Sequence, residues 1–179
     1  MGKAIQDLYN EHDAILHVLD IIDHVLANPV DDDEETRFAA ELLHFLTIFA
    51  DKCHHGKEEQ MLFPRLEELG VPNQGGPIGV MMAEHVQGRA LIGQMKQALA
   101  NDDLIGFEDA LGEYSVLLRA HIAKENGFLF PLADHVISEQ EQLKLYERFE
   151  THEETVVGQG VHEELHANIH NWEVQFGLL

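Results

Sequence analysis

The sequence has little cysteine, little positive charge and no long apolar run. The single cysteine, Cys53, cannot form an internal disulfide, so nothing implies an oxidising compartment. Lys and Arg total 11 against 33 Asp and Glu, for a formal net charge of -22. Such a chain lacks the basic surface that binds nucleic acid or an anionic membrane, and no stretch approaches the roughly 20 apolar residues of a membrane-spanning helix. We expect no nucleic-acid partner and no membrane partner.

The N-terminal segment carries acidic residues where an export signal would be apolar. Asp7, Glu11 and Asp13 interrupt it before an apolar run of signal-peptide length develops. We therefore expect a cytoplasmic protein. No motif indicates a protein partner.

Proline is scarce, and the two-residue alternation of strands is absent, which together favour long helices. Apolar positions from Ile5 to Leu26 follow the spacing of one helix face until Asn28-Pro29 breaks it. Pro64 should perturb the second helix near its end. The remaining helices are expected at about 31–68, 78–100, 103–132, 138–154 and 161–176. The prediction is an all-α protein: an antiparallel up-down four-helix bundle in residues 1–135, with a helical extension in residues 136–179 packed on the same domain.

An internal repeat contains the residues that can do chemistry. The segment His54–Pro64 aligns with His121–Pro131, and His, Lys, Glu, Leu, Phe and Pro recur at identical offsets. A Glu-His pair precedes each copy by one helix and a loop, at Glu11-His12 and at Glu84-His85. The bundle is therefore predicted to consist of two helical hairpins, each of which supplies His and then His-x-x-x-Glu.

The His-x-x-x-Glu spacing predicts a metal site. Residues four apart lie on one helix face, so the histidine and the glutamate of each copy can address one centre. Burying four imidazoles and two carboxylates without partners would be costly, and two divalent cations remove that cost if both carboxylates bridge. Imidazole and carboxylate without thiolate suit iron or manganese, while other divalent metals could load in vitro. The candidate metal ligands are His12, His54, Glu58, His85, His121 and Glu125.

These residues, with Leu-Phe-Pro closing each half, resemble the pattern of the hemerythrin-like (HHE cation-binding) family over about residues 5–132. The resemblance implies a four-helix bundle that holds two iron ions in a non-haem diiron centre, which meets O2, NO or peroxide. It implies that the four histidines are terminal ligands and that Glu58 and Glu125 are bridging carboxylates.

Two positions depart from the oxygen-carrying hemerythrins. Those proteins place a second histidine four residues after the histidine of the third helix, where this chain has Arg89. They also use Asp five residues after the histidine of the fourth helix, where this chain has Asn126, with Glu125 at four. The centre is thus expected to be one ligand short. An open coordination position favours redox turnover or iron handling as much as reversible O2 carriage.

We expect a diiron protein that binds O2 or a related small oxidant for sensing, scavenging or storage. One alternative is a diiron enzyme that decomposes peroxide or NO, with peroxidase-like or catalase-like activity, or that donates iron for iron–sulfur repair. Another is a helical domain whose metal is purely structural. No catalytic residue is assigned. The expected wall of the apolar pocket comprises Met61, Leu62, Leu117 and Phe128.

Several polar residues near the motif keep two interpretations. His55 and Glu59 repeat the i,i+4 spacing without an equivalent in the second half, so a supporting or surface position is expected, with contact to the metal as the alternative. Arg89 could pair with an anion or a carboxylate near the site or form a structural ion pair. Carboxylates that could orient the ligand imidazoles are Glu11, Glu59 and Glu84. A C-terminal row could supply the missing ligand or be a polar helix face: His162, His166 and His170, with His152 nearby and His162 the first to test.

Overall fold

The computed structural model describes residues 1–28 and 30–178, and these residues contain helices and no strand. The helices are α1 (Lys3–Ala27), α2 (Asp32–Phe45), α3 (Phe63–Glu68), α4 (Pro77–Ala100), α5 (Leu104–Lys124), α6 (Phe130–Val136), α7 (Glu139–His152) and α8 (Val161–Gln175). Wider π-helical segments continue several of them: Leu46–His55, Glu58–Leu62, Glu125–Leu129 and Glu153–Gly158. The all-α prediction is confirmed.

The helix ends follow the local sequence. The Asp31 side chain accepts a hydrogen bond from the amide of Glu34 at the start of α2. Ser138 and Glu141 form a capping box at the start of α7, as Ser and Glu three residues apart predict. Helix α1 ends at Ala27, next to the expected break at Asn28-Pro29, of which Pro29 lies outside the described residues.

The predicted perturbation at Pro64 takes the form of a widened turn, which occurs in both copies of the repeat. The amide of Phe63 donates to the carbonyl of Glu58, five residues back, and the amide of Phe130 donates in the same way to Glu125. The residue that follows each phenylalanine is proline, which has no amide hydrogen and whose ring clashes with the preceding turn of a regular α-helix. The π turns therefore start at the two glutamates of the motif, and such turns are frequent at functional sites.

The long helices pack against one another. Helix α4 packs along α5, α1 packs against α5, and α2 packs against α4. The C-terminal helices α7 and α8 both pack against α1. The extension therefore covers the long helices on one side.

Two apolar clusters fill the interior, one towards each end of the long helices. One contains buried residues of α1, α2, α4, α5 and α8, such as Leu19, Phe45 and Trp172. The other contains the start of α1 and residues around the two prolines, such as Leu8, Leu62 and Phe130. Most of the candidate ligands fall between the two clusters along the chain, and His121 lies at the border of the first cluster, next to Ile122. No helix within residues 1–28 and 30–178 is both long and apolar enough to cross a membrane.

We expect the C-terminal extension to unfold together with the rest of the chain. Trp172, the single tryptophan, is fully buried, and its ring packs edge-on against Phe38 and Phe45 of α2. Its indole nitrogen donates to Glu41 at 2.9 Å. Tryptophan fluorescence thus reports the extension, while circular dichroism at 222 nm reports all helices. Coincident urea transitions are the expected result, and an earlier fluorescence transition would show that residues 136–179 form a separate unit.

Candidate metal centre

Two groups of buried side chains meet between the apolar clusters. Any two residues of a group have donor atoms within 4.8 Å of each other. The first group is His12, His54, Glu58 and Glu125. The second group is His55, Glu58, His85 and His121. The structure therefore brings all six sequence-predicted residues together, and it adds His55.

Glu58 and Glu125 lie between the two halves of the chain. Glu58 Oε1 is 3.5 Å from Nε2 of His54 in its own copy of the repeat, and Glu58 Oε2 is 3.3 Å from Nε2 of His85 in the other copy. Glu125 Oε2 is 3.1 Å from Nε2 of His121 and 3.2 Å from Nε2 of His12. Each carboxylate thus contacts one imidazole from each half, which is the position that a bridging ligand needs.

Most of the inward-facing atoms have no hydrogen-bond partner. The buried atoms without one include Nε2 of His12, His54 and His55, and both carboxylate oxygens of Glu58 and of Glu125. An unpartnered buried polar atom costs about 1–3 kcal/mol, so natural interiors contain few of them. Their convergence on one place fits a cation that these atoms would bind.

His54 and His121 each have a carboxylate hydrogen-bonded to Nδ1, the ring nitrogen that faces away from the centre. Nδ1 of His54 donates to Glu11 at 2.9 Å, and Nδ1 of His121 donates to Glu84 at 2.9 Å. A lysine in turn holds each carboxylate: Lys57 contacts Glu11, and Lys124 contacts Glu84. The internal repeat therefore includes these supporting residues. A carboxylate hydrogen-bonded to an imidazole is the arrangement that orients histidine ligands in metal sites.

In the other two histidines, Nδ1 is hydrogen-bonded to the residue that directly follows the motif glutamate, one such residue in each copy of the repeat. Nδ1 of His85 donates to Glu59 at 2.7 Å, and Nδ1 of His12 donates to the side-chain oxygen of Asn126 at 2.7 Å. Since Nδ1 carries the hydrogen in all four rings, the neutral form of each ring presents the lone pair of Nε2 to the centre.

His85 and His121 show the consequence of that orientation most clearly. Their Nε2 atoms lie 3.2 Å apart, while both of their Nδ1 atoms face carboxylates. Two neutral rings in this geometry would direct lone pairs at each other, so a positive charge has to lie near both atoms. Either a proton or a metal cation supplies that charge.

Burial and charge set the protonation of the centre. Burial, with the positive form of His12 nearby, lowers the pKa of His54 to about 4. Burial, together with the negative charge of Glu125, raises the pKa of Glu58 well above its ordinary value. Burial opposes the charge of His121, but the Glu125 carboxylate outweighs it and raises the pKa of that imidazole. Without metal, the centre therefore holds protons where a metal site needs free lone pairs.

We expect metal binding at pH 6 to release about one proton or more per chain, because Glu58 and His121 must lose their protons before they can bind a cation. Both pKa values are raised, so the number of protons released falls as the pH rises through them, and metal affinity increases over the same range. Calorimetric titration in two buffers with different ionisation enthalpies measures this number. The E58Q variant should release fewer protons, and a wild-type protein that releases none would contradict this account.

The remaining predicted neighbours lie around the centre. Arg89 forms ion pairs with Asp51 and with Glu59, the carboxylate that contacts His85, so it pairs with carboxylates beside the centre. The ring of His162 stacks on Phe49, and its Nε2 lies 3.9 Å from Oε1 of Glu11. His162, Glu11 and Glu153 form a third group of possible metal ligands, separate from the two groups described above. Cys53 is buried, and its thiol faces Glu11.

The predicted pocket wall needs one correction. Met61 and Leu62 are buried and Leu117 is partly buried, but Phe128 is 58% exposed, so its assignment to the wall is wrong. Met61 occupies the equivalent position in the first half, where α7 packs against Glu58–Leu62. The C-terminal extension has no second copy that would cover Phe128.

The family model of the hemerythrin HHE cation-binding domain matches residues 3–133. The chain belongs to this family. It is 25% identical to the uncharacterized proteins Rv1995 of Mycobacterium tuberculosis and Mb2018 of Mycobacterium bovis, in alignments that cover 98% of this chain and 71% of each relative. No solved structure matches the chain. Membership in a cation-binding family and the clustered His and Glu side chains together indicate that this protein binds metal.

Proposed function

We propose that residues 1–135 form an antiparallel up-down four-helix bundle, which consists of α1, α2 with its π turns, α4 and α5. This bundle holds two iron ions. The two-iron centre binds O2 or a related small oxidant such as NO or peroxide. Residues 136–179 pack on the same domain. The terminal ligands are the four histidines, and the bridging ligands are Glu58 and Glu125.

One observation supports the proposal above all others. Buried histidine and glutamate atoms without hydrogen-bond partners converge on one place, while Nδ1 of each of the four imidazoles is hydrogen-bonded to another side chain. A histidine or glutamate buried for structural reasons alone would have its polar atoms bonded to protein. The donors at this place are nitrogen and oxygen, and the buried thiol of Cys53 faces Glu11 instead. Such a donor set favours iron or manganese over the soft metals that thiolates select.

The surroundings of the centre fit a small oxidant. The apolar clusters on both sides keep the ligands dry, and His12 stacks on Phe130 with the ring centres 4.9 Å apart. Two ferrous ions, when bound, would supply electrons to such an oxidant. The chain's own residues would fix the ligand positions, exclude bulk water and bridge the two ions through Glu58 and Glu125.

The test is the visible spectrum of the anaerobic Fe(II)-loaded protein while O2 is added and then removed. Absorption bands that appear with O2 support the proposal; reversible bands indicate sensing, storage or carriage, and bands that decay as O2 or peroxide is consumed indicate the enzyme alternative. Two bound irons without any band would favour the structural-metal alternative. Failure to bind iron would overturn the proposal.

A further inference from the structure

His55 has the properties of a metal ligand although the repeat gives it no counterpart. Its side chain is 4% exposed, and its Nε2 has no hydrogen-bond partner. Its ring stacks on that of His85, with centres 3.8 Å apart. Donor atoms of His55, Glu58, His85 and His121 all lie within 4.8 Å of one another.

The outer side of the His55 ring faces a carboxylate, as it does for His54, His85 and His121. Nδ1 of His55 lies 3.4 Å from Oδ1 of Asp51, and the guanidinium of Arg89 donates to the same oxygen at 2.8 Å. Arg89 also donates at 2.8 Å to Glu59, the carboxylate that holds His85. Arg89, which stands where the oxygen-carrying hemerythrins have a histidine, thus ties together the supports of His55 and His85.

A buried histidine with a structural role has a different environment in this protein. His152 is 5% exposed, and its Nε2 donates to the backbone carbonyl of Lys52 at 2.8 Å. His55 has no such acceptor at Nε2.

We propose that His55 is a fifth imidazole ligand, which completes the metal position of His85 and His121. The inference rests on the proposed two-metal centre and adds to it that the two positions have unequal donor sets. The other position has His12 and His54, and the residue of the repeat that corresponds to His55 is Ile122, which has no donor atom.

The two metal positions also differ in the residues that support their histidines, and this difference too favours tighter binding at the position of His55. The support of His85 is the carboxylate of Glu59, whereas the support of His12 is the neutral amide of Asn126. A carboxylate behind an imidazole increases its basicity as a ligand more than an amide does. The position that contains His55 therefore binds its metal more tightly, and the two metals load in sequence.

The test is a titration of the metal-free full-length chain with Zn²⁺, a diamagnetic probe, followed by nitrogen-15 NMR of the imidazoles and by calorimetry. The expected result is that the Nε2 resonance of His55, assigned by its absence in H55Q, shifts to the metal-bound range during the tighter of two binding steps. H55Q should weaken that step at least about 10- to 100-fold, which is the loss that replacing a residue behind a ligand already causes, and leave the other step nearly unchanged. The matched control H152Q, which also replaces a buried histidine by glutamine, should leave both binding constants within about twofold.

Two zinc ions that bind without a shift at His55, or with unchanged constants in H55Q, would overturn this inference while leaving the two-metal centre intact. A wild-type chain that binds no zinc would instead overturn the two-metal centre itself.

Discussion

Replacing Glu58 and Glu125 together by glutamine is expected to abolish the binding of two iron ions per chain. Each carboxylate contacts one imidazole from each half, so its removal takes a donor from both metal positions. The two carboxylates also supply the only side-chain negative charge among the six proposed ligands, and without it two divalent cations would repel each other in a dry site. Glutamine keeps the volume of the side chain, so the metal-free variant should still fold.

Equilibrium dialysis against anaerobic Fe(II), followed by metal analysis, measures the effect. We expect two irons per wild-type chain and fewer than one in E58Q/E125Q. The variant should also lose the metal-induced gain in the free energy of unfolding, which is about 4 kcal/mol for each bound iron at a thousandfold excess of metal over its Kd. The matched control is E113Q/E147Q, which makes the same charge change on exposed glutamates. Two irons retained by E58Q/E125Q would refute the bridging assignment.

The second large effect is expected at Lys57, a fully buried lysine beside the centre. Its ammonium group lies 2.9 Å from Asp7 and 2.8 Å from Glu11, and it also contacts Glu153. Lys57→Met would leave these three carboxylates together without their cation. Loss of one member of a buried charge cluster costs about 3–5 kcal/mol, so the metal-free variant should lose at least about 3 kcal/mol of its free energy of unfolding.

The internal repeat supplies the control for this prediction. Lys124 occupies the position of Lys57 in the second copy and contacts Glu84, but its side chain is 45% exposed. Lys124→Met should therefore cost less than about 1 kcal/mol. Urea denaturation of both variants, in the presence of a chelator, measures the difference. Equal losses in the two variants would show that the cluster around Lys57 contributes no special stability.

Lys57 also affects the ionisation of Glu11, the carboxylate that is hydrogen-bonded to His54. Burial opposes the charge of Glu11, but the hydrogen bond from His54 and the ammonium of Lys57 outweigh it and lower the pKa of this carboxyl to about 2. Glu11 therefore remains ionised throughout the neutral range and keeps the hydrogen on Nδ1 of His54. The C-terminal extension contributes through Glu153, so a residue outside the family match helps to fix the position of His54 inside it.

Much of this structure follows from sequence patterns. Apolar spacing, caps and prolines predicted the helices, because these features act over one or two turns. Duplication of His-x-x-x-Glu with its upstream histidine predicted which six side chains meet. A single His-x-x-x-Glu would have had a surface ion pair as an equal alternative.

The features that the sequence did not predict depend on contacts between distant segments. His55 has no partner in the repeat, and only the packing of α4 against the Leu46–His55 segment brings it next to His85. The sequence predicted Glu11, Glu59 and Glu84 as supports of the imidazoles, but each lies on a different helix from the histidine that it contacts. Which imidazole each one contacts therefore cannot be derived from spacing along one helix. The exposure of Phe128 likewise depends on where the C-terminal extension packs.

The most direct test of the two-metal centre is the location of iron in a crystal of the iron-loaded protein, by anomalous scattering at the iron edge. We expect two peaks about 3.5–4 Å apart, one beside His12 and His54 and the other beside His85 and His121, with Glu58 and Glu125 between them. A single peak, or iron only at Glu11, Glu153 and His162, would contradict it.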